Sequence, residues 1–176
     1  MNVQILKQQK VSRPSSGPLI NEPVVVIQGA LNESFFAHLP EQGIKQVVVL
    51  EGRPSLESSQ GSCRQLIKRG VTPIVIADNM AGFLFYKNLV KEIWVACQFS
   101  DKQGALCEIG ALILGVLGKA HKISMYGYGA QKKSHFIGNP EDIFSFKGKR
   151  VAPAKIKGYV PLMEWVDGKY WTKIYE

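Results

Sequence analysis

The chain is short of the residues that mark several large functional classes. It holds three cysteines and three histidines in 176 residues. Cys63, Cys97 and Cys107 form an odd set with no Cys-x-x-Cys spacing. That excludes a disulfide framework and fits free thiols in a reducing compartment, with the cytoplasm as default. His38, His121 and His135 lack metal-ligand spacing, so no metal site is expected, and nothing points to a cofactor. No apolar run approaches the roughly 20 residues that span a bilayer, and Met1 to Lys10 lacks the apolar core of a signal peptide. No membrane partner is expected. Acids are scarce as well, with 14 Asp/Glu against 22 Lys/Arg.

The resulting charge of +8 is unevenly spread, because residues 119–176 carry eleven Lys/Arg and five Asp/Glu. Lys132-Lys133, Lys147-Gly148-Lys149-Arg150 and Lys155-Ile156-Lys157 make the basic segments. Such clusters contact nucleic acid or phosphorylated ligands, but they are also what a solvated surface looks like. The nearby aromatics Tyr170, Trp171 and Tyr175 form no RNA-binding motif, so nucleic acid stays a minor alternative.

With 45% hydrophobic residues the chain can build one sizeable core. Residues 11–22, rich in Pro, Ser and Gly, read as a linker, which sets an N-terminal arm over 1–22 apart from a single domain over 23–176. From Pro23 onward, apolar β-rich runs at Val24–Ile27, Gln46–Leu50, Pro73–Ala77, Glu92–Ala96 and Ile123–Tyr126 alternate with helical segments at Glu33–Leu39, Ser58–Arg69, Met80–Leu89 and Ala105–Lys119. Strands apolar on both faces, alternating with helices, predict an α/β fold: a Rossmann-like three-layer sandwich with a mostly parallel sheet. At the C-terminus, Tyr159–Val166 and Lys169–Tyr175 flank Asp167-Gly168, a pair suited to a tight type I′ turn, and predict a β-hairpin.

Ligands of open α/β sheets bind beyond the carboxyl ends of the strands. Those ends carry Gln28-Gly29, Glu51-Gly52-Arg53-Pro54, Asp78-Asn79 and Cys97-Gln98. Pro54 holds Arg53 out of helical geometry, leaving a guanidinium that can take a phosphate or carboxylate bidentately, or pair with Glu51. Asp78 can cap the next helix or hold a sugar hydroxyl. Gly104-Ala105-Leu106-Cys107-Glu108 reads as the start of a helix, whose free N–H groups favour anions while Glu108 opposes one. Cys97 and Cys107 have no histidine beside them in sequence to activate them and read as buried structural thiols.

Taken together, Glu51-Gly52-Arg53-Pro54, Asp78-Asn79-Met80-Ala81, Gln103-Gly104 with Ile109-Gly110, and Ala120-His121-Lys122-Ile123 are similar, in order and spacing, to one known group. It is the superfamily of methylthioribose-1-phosphate isomerases, ribose-1,5-bisphosphate isomerases and the α, β and δ regulatory subunits of initiation factor 2B. The resemblance covers roughly residues 23–137. It implies the Rossmann-like C-terminal domain of those proteins, a homodimer through the C-terminal half, and a sugar-phosphate site. Family members place a helical domain before this half, whereas about 22 residues precede the first strand here.

The departures bear on chemistry. The isomerases' cysteine, in T-H-C-N, falls on Ile27-Gln28-Gly29, and their acid/base aspartate falls on Gln98. An amide cannot cycle a proton as a carboxylate does. A family arginine falls on Gln60, and a family lysine falls on Glu108, which reverses a charge meant for phosphate. Gly158 stands where an acid is expected near the C-terminus, and one residue is missing between Gly104 and Ile109. The resemblance thus implies a ligand site formed by Gln28, Gly29, Glu51, Arg53, Gln60, Asp78, Asn79, Gln98, Gly104 and Glu108, with catalysis lost. The expected partners are a phosphorylated small molecule or a protein. One alternative is an active aldose-1-phosphate isomerase using Glu51 or Asp78 as base and Cys97 as thiol. Another is a translation-related interaction module.

Overall fold

In the computed structural model, residues 20–39, 42–131 and 134–175 are described. The expected arm over residues 1–22 lies almost wholly outside them, as does Lys132-Lys133. The first five expected strands and the four helices appear in the alternation read from the sequence, with one unexpected strand, β5, among them: β1 (Val24–Gln28), α1 (Glu33–His38), β2 (Gln46–Leu50), α2 (Glu57–Lys68), β3 (Thr72–Ile76), α3 (Ala81–Tyr86), β4 (Val90–Asp101), β5 (Gly104–Glu108), α4 (Ala111–His121) and β6 (Met125–Gly129). The short strands β7 (Ser145–Phe146) and β8 (Lys149–Arg150) come next, then β9 (Met163–Asp167) and β10 (Lys173–Ile174). No helix among the described residues is long and apolar enough to cross a membrane.

One sheet has the order β10-β6-β4-β1-β2-β3, and every neighbouring pair in it is parallel. The chain runs outward from β1 to β3 and returns to place β4 on the other side of β1, which makes β1/β4 the point where strand order switches. Alternate residues of each strand enter two cores. Val25, Ile27, Val47, Val49, Trp94 and Ala96 meet Phe35, Phe36, Leu39 and Leu66 of α1 and α2 with their flanks. Val26, Val48, Leu50, Ile93 and Val95 meet Leu84, Phe85, Ala111 and Leu114 of α3 and α4. Each such side chain, fully buried, contributes about 1.5–3 kcal/mol. The three-layer α/β sandwich follows from strands that are apolar on both faces. In α4 the small residues serve close packing: a Cβ on Gly118 would lie 2.7 Å from Ile93 Cδ1.

Two elements differ from the sequence reading. The helix expected over Ala105–Lys119 begins only at Ala111, and its first third is the strand β5, antiparallel to β4. Asp101 explains the turn between them, because its Oδ1 accepts the backbone N–H of Gln103 at 2.7 Å and of Gly104 at 3.2 Å. That local bond ends β4 and reverses the chain. Ala105 and Cys107 then alternate inward, as strand residues do. Nor is the N-terminus of α4 free to bind an anion. Glu164 on β9 accepts the N–H groups of Gly110 at 2.7 Å and Leu112 at 2.8 Å.

A C-terminal β-hairpin is present, formed by β7 and β8 around Lys147-Gly148, both at positive φ as a type I′ turn requires. The strands flanking Asp167-Gly168 also form, but each pairs elsewhere: β9 antiparallel to β5, and β10 parallel to β6. Neither Asp167 nor Gly168 takes positive φ, and a single 3-10 turn at Gly168–Tyr170 separates the two strands.

Because Glu164 satisfies two first-turn N–H groups of α4 from a distant strand, Glu164→Ala is expected to destabilise the domain by about 1–2 kcal/mol. A lower urea midpoint at unchanged slope is the expected result.

Candidate functional site

The ends of β1 and β2, one face of α2 and the end of β5 enclose a cleft of about 610 Å³. Each wall has a local cause. Asp78, just past β3, accepts the backbone N–H groups of Gly52 and Arg53, both at 2.9 Å. Its carboxylate therefore ties the β2 loop to the β3 loop and does not cap the helix after it. Arg53 precedes a cis proline and lines the cleft, with its guanidinium 5.0 Å from the centre of the Phe146 ring. Among the described residues it forms no ion pair with Glu51.

The α2 wall is a helical stripe. Ser58, Gly61, Gln65 and Lys68, joined by Glu57 and Arg64, recur at the three- and four-residue spacing of one face. Arg64, Lys68 and the His135 of the opposite wall were not singled out from the sequence. The α2 residues could have been found by projecting Ser58–Arg69 as a helix from the strand end that carries Arg53. His135 leaves no such pattern, since its segment reaches the cleft only through the tertiary fold.

At the floor sits Glu108, the last residue of β5. Both of its carboxylate oxygens lie 2.7 Å from Ser58 Oγ, which donates to them. Burial pushes its carboxyl above the ordinary range, the Ser58 hydroxyl and the Ala30 backbone oppose that shift, and the nearby Asp78 and Glu57 carboxylates reinforce it. Behind it Gln28 is buried and donates to the Ile109 carbonyl at 2.7 Å. Gln28 Oε1 has no protein partner, and neither does Gln98 Nε2. Gly29 holds positive φ where an added Cβ would lie 2.8 Å from Ala96 Cβ.

Of the residues expected from the sequence, the fold brings Arg53 and Glu108 to the cleft lining and puts Gln28, Gly29 and Asp78 in contact with that lining. Ser62 Oγ helps by donating to the Gly29 carbonyl at 3.3 Å. Glu51 just past β2 and Gln98 inside β4, at its register shift, both stand outside the lining. Gln60 and Asn79 are exposed and lie outside it as well. Gly104 starts β5 at the far end of that strand from Glu108, where an added Cβ would strike the Val166 carbonyl. It is a packing glycine.

Cys97 and Cys107 are buried across the β4–β5 pair, Sγ to Sγ 3.7 Å, in the core shared with α3 and α4. Contact with Cys97, together with burial, holds the Cys107 thiol well above the usual range. Among the described residues, no group of three or more His, Cys, Asp or Glu gathers to hold a metal ion.

The fold and cleft define a Rossmann-like domain with a mixed-charge site at its strand ends. A model of the initiation factor 2 subunit family matches residues 26–172, and the chain belongs to that family. A methylthioribose-1-phosphate isomerase of Thermus thermophilus is 27% identical over 188 residues, covering 97% of this chain and 54% of that protein. The 5-deoxyribose 1-phosphate isomerase of Petrotoga mobilis is 26% identical over 136 residues, 70% of this chain and 39% of that one. The chain thus spans about half the length, or less, of these curated relatives.

Two crystal structures share the fold. The 5-methylthioribose 1-phosphate isomerase from Pyrococcus horikoshii superposes with a TM-score of 0.73 at 23% identity, over 89% of this chain and 50% of that chain. The δ subunit of translation initiation factor eIF-2B from A. fulgidus gives 0.71 at 21%, over 89% and 52%.

The raised carboxyl of Glu108 has a stability signature. A raised acid stabilises the fold below its unfolded value, near 4.5, and that contribution is lost as pH rises through the folded value. Glu108→Gln should therefore gain stability relative to the native chain between pH 4.5 and pH 7.5, read as urea midpoints at the two ends. An unchanged difference would show that the carboxyl is not held up by burial.

Proposed function

We propose that this domain binds a phosphorylated small molecule in the cleft through Arg53, Arg64 and Lys68, and does not isomerise it. The observation that carries this reading is the convergence of three cations from two separate elements on one cleft at the strand ends. Arginine forks and a lysine point charge are the usual partners of a phosphate. The chemistry needed for isomerisation is poorly supplied. The strand ends offer Gln28 and Gln98, Cys97 lies in the opposite core, and the Asp78 carboxylate is already engaged by two backbone N–H groups.

An active isomerase is the second reading, favoured by the names of the relatives and by Glu108. Glu51 and Asp78 stand outside the cleft lining, so Glu108 is the acid within it that burial tunes toward proton transfer. A single tuned group supplies about 10²–10⁴-fold, short of what a paired acid and thiol give.

For the partners, we propose a homodimer through the exposed apolar face of α3 and α4. Phe83, Tyr86, Ile113 and Val116 stand solvent-exposed on these two packed helices. A grouped apolar surface of this kind is what interfaces use. Ile113→Asp with Val116→Asp should convert a dimer to a monomer in sedimentation. A native chain already monomeric at micromolar concentration would remove the interface.

Ligand binding is tested by thermal shift with inorganic phosphate, pentose 1-phosphates and hexose 6-phosphates. A ligand at 100 times its dissociation constant stabilises by roughly 2.7 kcal/mol. Arg64→Ala with Lys68→Ala should abolish the shift. Ketose formed from an aldose 1-phosphate by the purified protein would replace this reading with the isomerase.

A further inference from the structure

The cleft is not uniformly basic, and its polarity follows the axis of α2. Glu57 and Ser58 begin the helix, whereas Arg64 and Lys68 lie two to three turns on. At 1.5 Å rise per residue, Ser58 and Lys68 are separated by about 15 Å along the axis. The acid end is reinforced by Glu108, which reaches it from β5 and bonds Ser58. Among the described residues, no Lys or Arg pairs with Glu108, whose carboxylate takes one hydroxyl while bordering open cleft. A carboxylate has about four lone-pair sites, so it retains acceptor capacity toward the cleft.

Around this carboxylate, Asp78 and Glu57 add negative charge, and among the described residues no Lys or Arg forms an ion pair with it. A ligand with phosphates at both ends would set one of them against Glu108 and Glu57. At a few ångströms such a like-charge contact is costly in a partly dry site. A neutral hydroxyl there would donate a bond to Glu108 and gain little charge complementarity. A protonated amine would gain both.

Building on the phosphate reading above, we infer that the cleft takes a phosphomonoester that also carries a primary amine, its phosphate toward Arg64 and Lys68 and its ammonium against Glu108. Glu108 is then the residue that sets specificity, and Ser58 is a positioning residue that aims its carboxylate. The class includes amino-sugar phosphates. Bisphosphates are disfavoured by the same residue.

The test is isothermal titration of the full chain with a matched set of probes. Glucosamine 6-phosphate and glucose 6-phosphate differ only in an amine replacing a hydroxyl. The amino ester should bind at least tenfold more tightly. N-acetylglucosamine 6-phosphate, which keeps the nitrogen without its charge, should lose that advantage with no change to the protein. Glu108→Gln should bring the amino and hydroxy esters within about twofold of each other.

Equal binding of glucosamine and glucose esters, or an acetylated ester as tight as the amine, overturns the amine assignment while the phosphate reading stands. If neither ester nor inorganic phosphate binds, both fall together.

Discussion

The fold hangs on the double pairing of β4. Over its first half this strand lies between β1 and β6, parallel to both, and ties the two halves of the sheet together. Past Cys97 it continues alone as a ribbon, turns at Asp101 and returns as β5, which adds β9 at its outer edge. The register shift between Cys97 and Phe99 is where one arrangement gives way to the other. A bulge at such a point twists the strand and redirects the chain beyond it. Without that return, Glu108 would not arrive beneath the end of β1, and the cleft would have no floor.

Most of the architecture could be read from the sequence because its signals were local. Val47–Leu50 and Val24–Ile27 are apolar at every position, and strands buried on both faces read that way in any context. The parallel core, the helix start at Glu33 and, to within one residue, the start of α2 were legible for the same reason. The segment from Asp101 to Glu108 was not. Ala105, Leu106 and Cys107 suit a helix as well as a strand, and the bond that decides between them runs from Asp101 to Gly104 across a turn. Pairing at the C-terminus was hidden by the same difficulty: Asp167-Gly168 fits a hairpin by composition, yet β5 and β6 each offered a free edge, and long-range pairing overrode the local preference.

The candidate site was legible in part. Position at a strand end found Arg53, because the parallel topology gathers strand ends along one edge. Glu108, whose segment reads as a helix, enters the expected site only through the family resemblance. Gln60 shows the limit, as it sits on α2 one position from the stripe that faces the cleft. Helical periodicity separates Gly61 and Arg64 from Gln60, and no property of the residue itself does so. Asp78 shows another limit. Its place beyond β3 suggested a cap or a sugar contact, whereas the structure uses both oxygens to hold backbone from β2. A carboxylate that accepts two N–H groups braces the loop that carries Arg53.

The bond from Glu164 to α4 also has a consequence in time. Its partners Gly110 and Leu112 lie more than 50 positions earlier in the chain. As the polypeptide leaves the ribosome N-terminus first, α4 emerges with its first-turn N–H groups unpartnered, and they remain so until β9 has been made and docked on β5. The same strand completes the edge of the β4–β5 ribbon that carries Glu108. Closure of the sheet edge and completion of the cleft floor are therefore late and joined events in the birth of the domain, governed by contacts of long sequence separation.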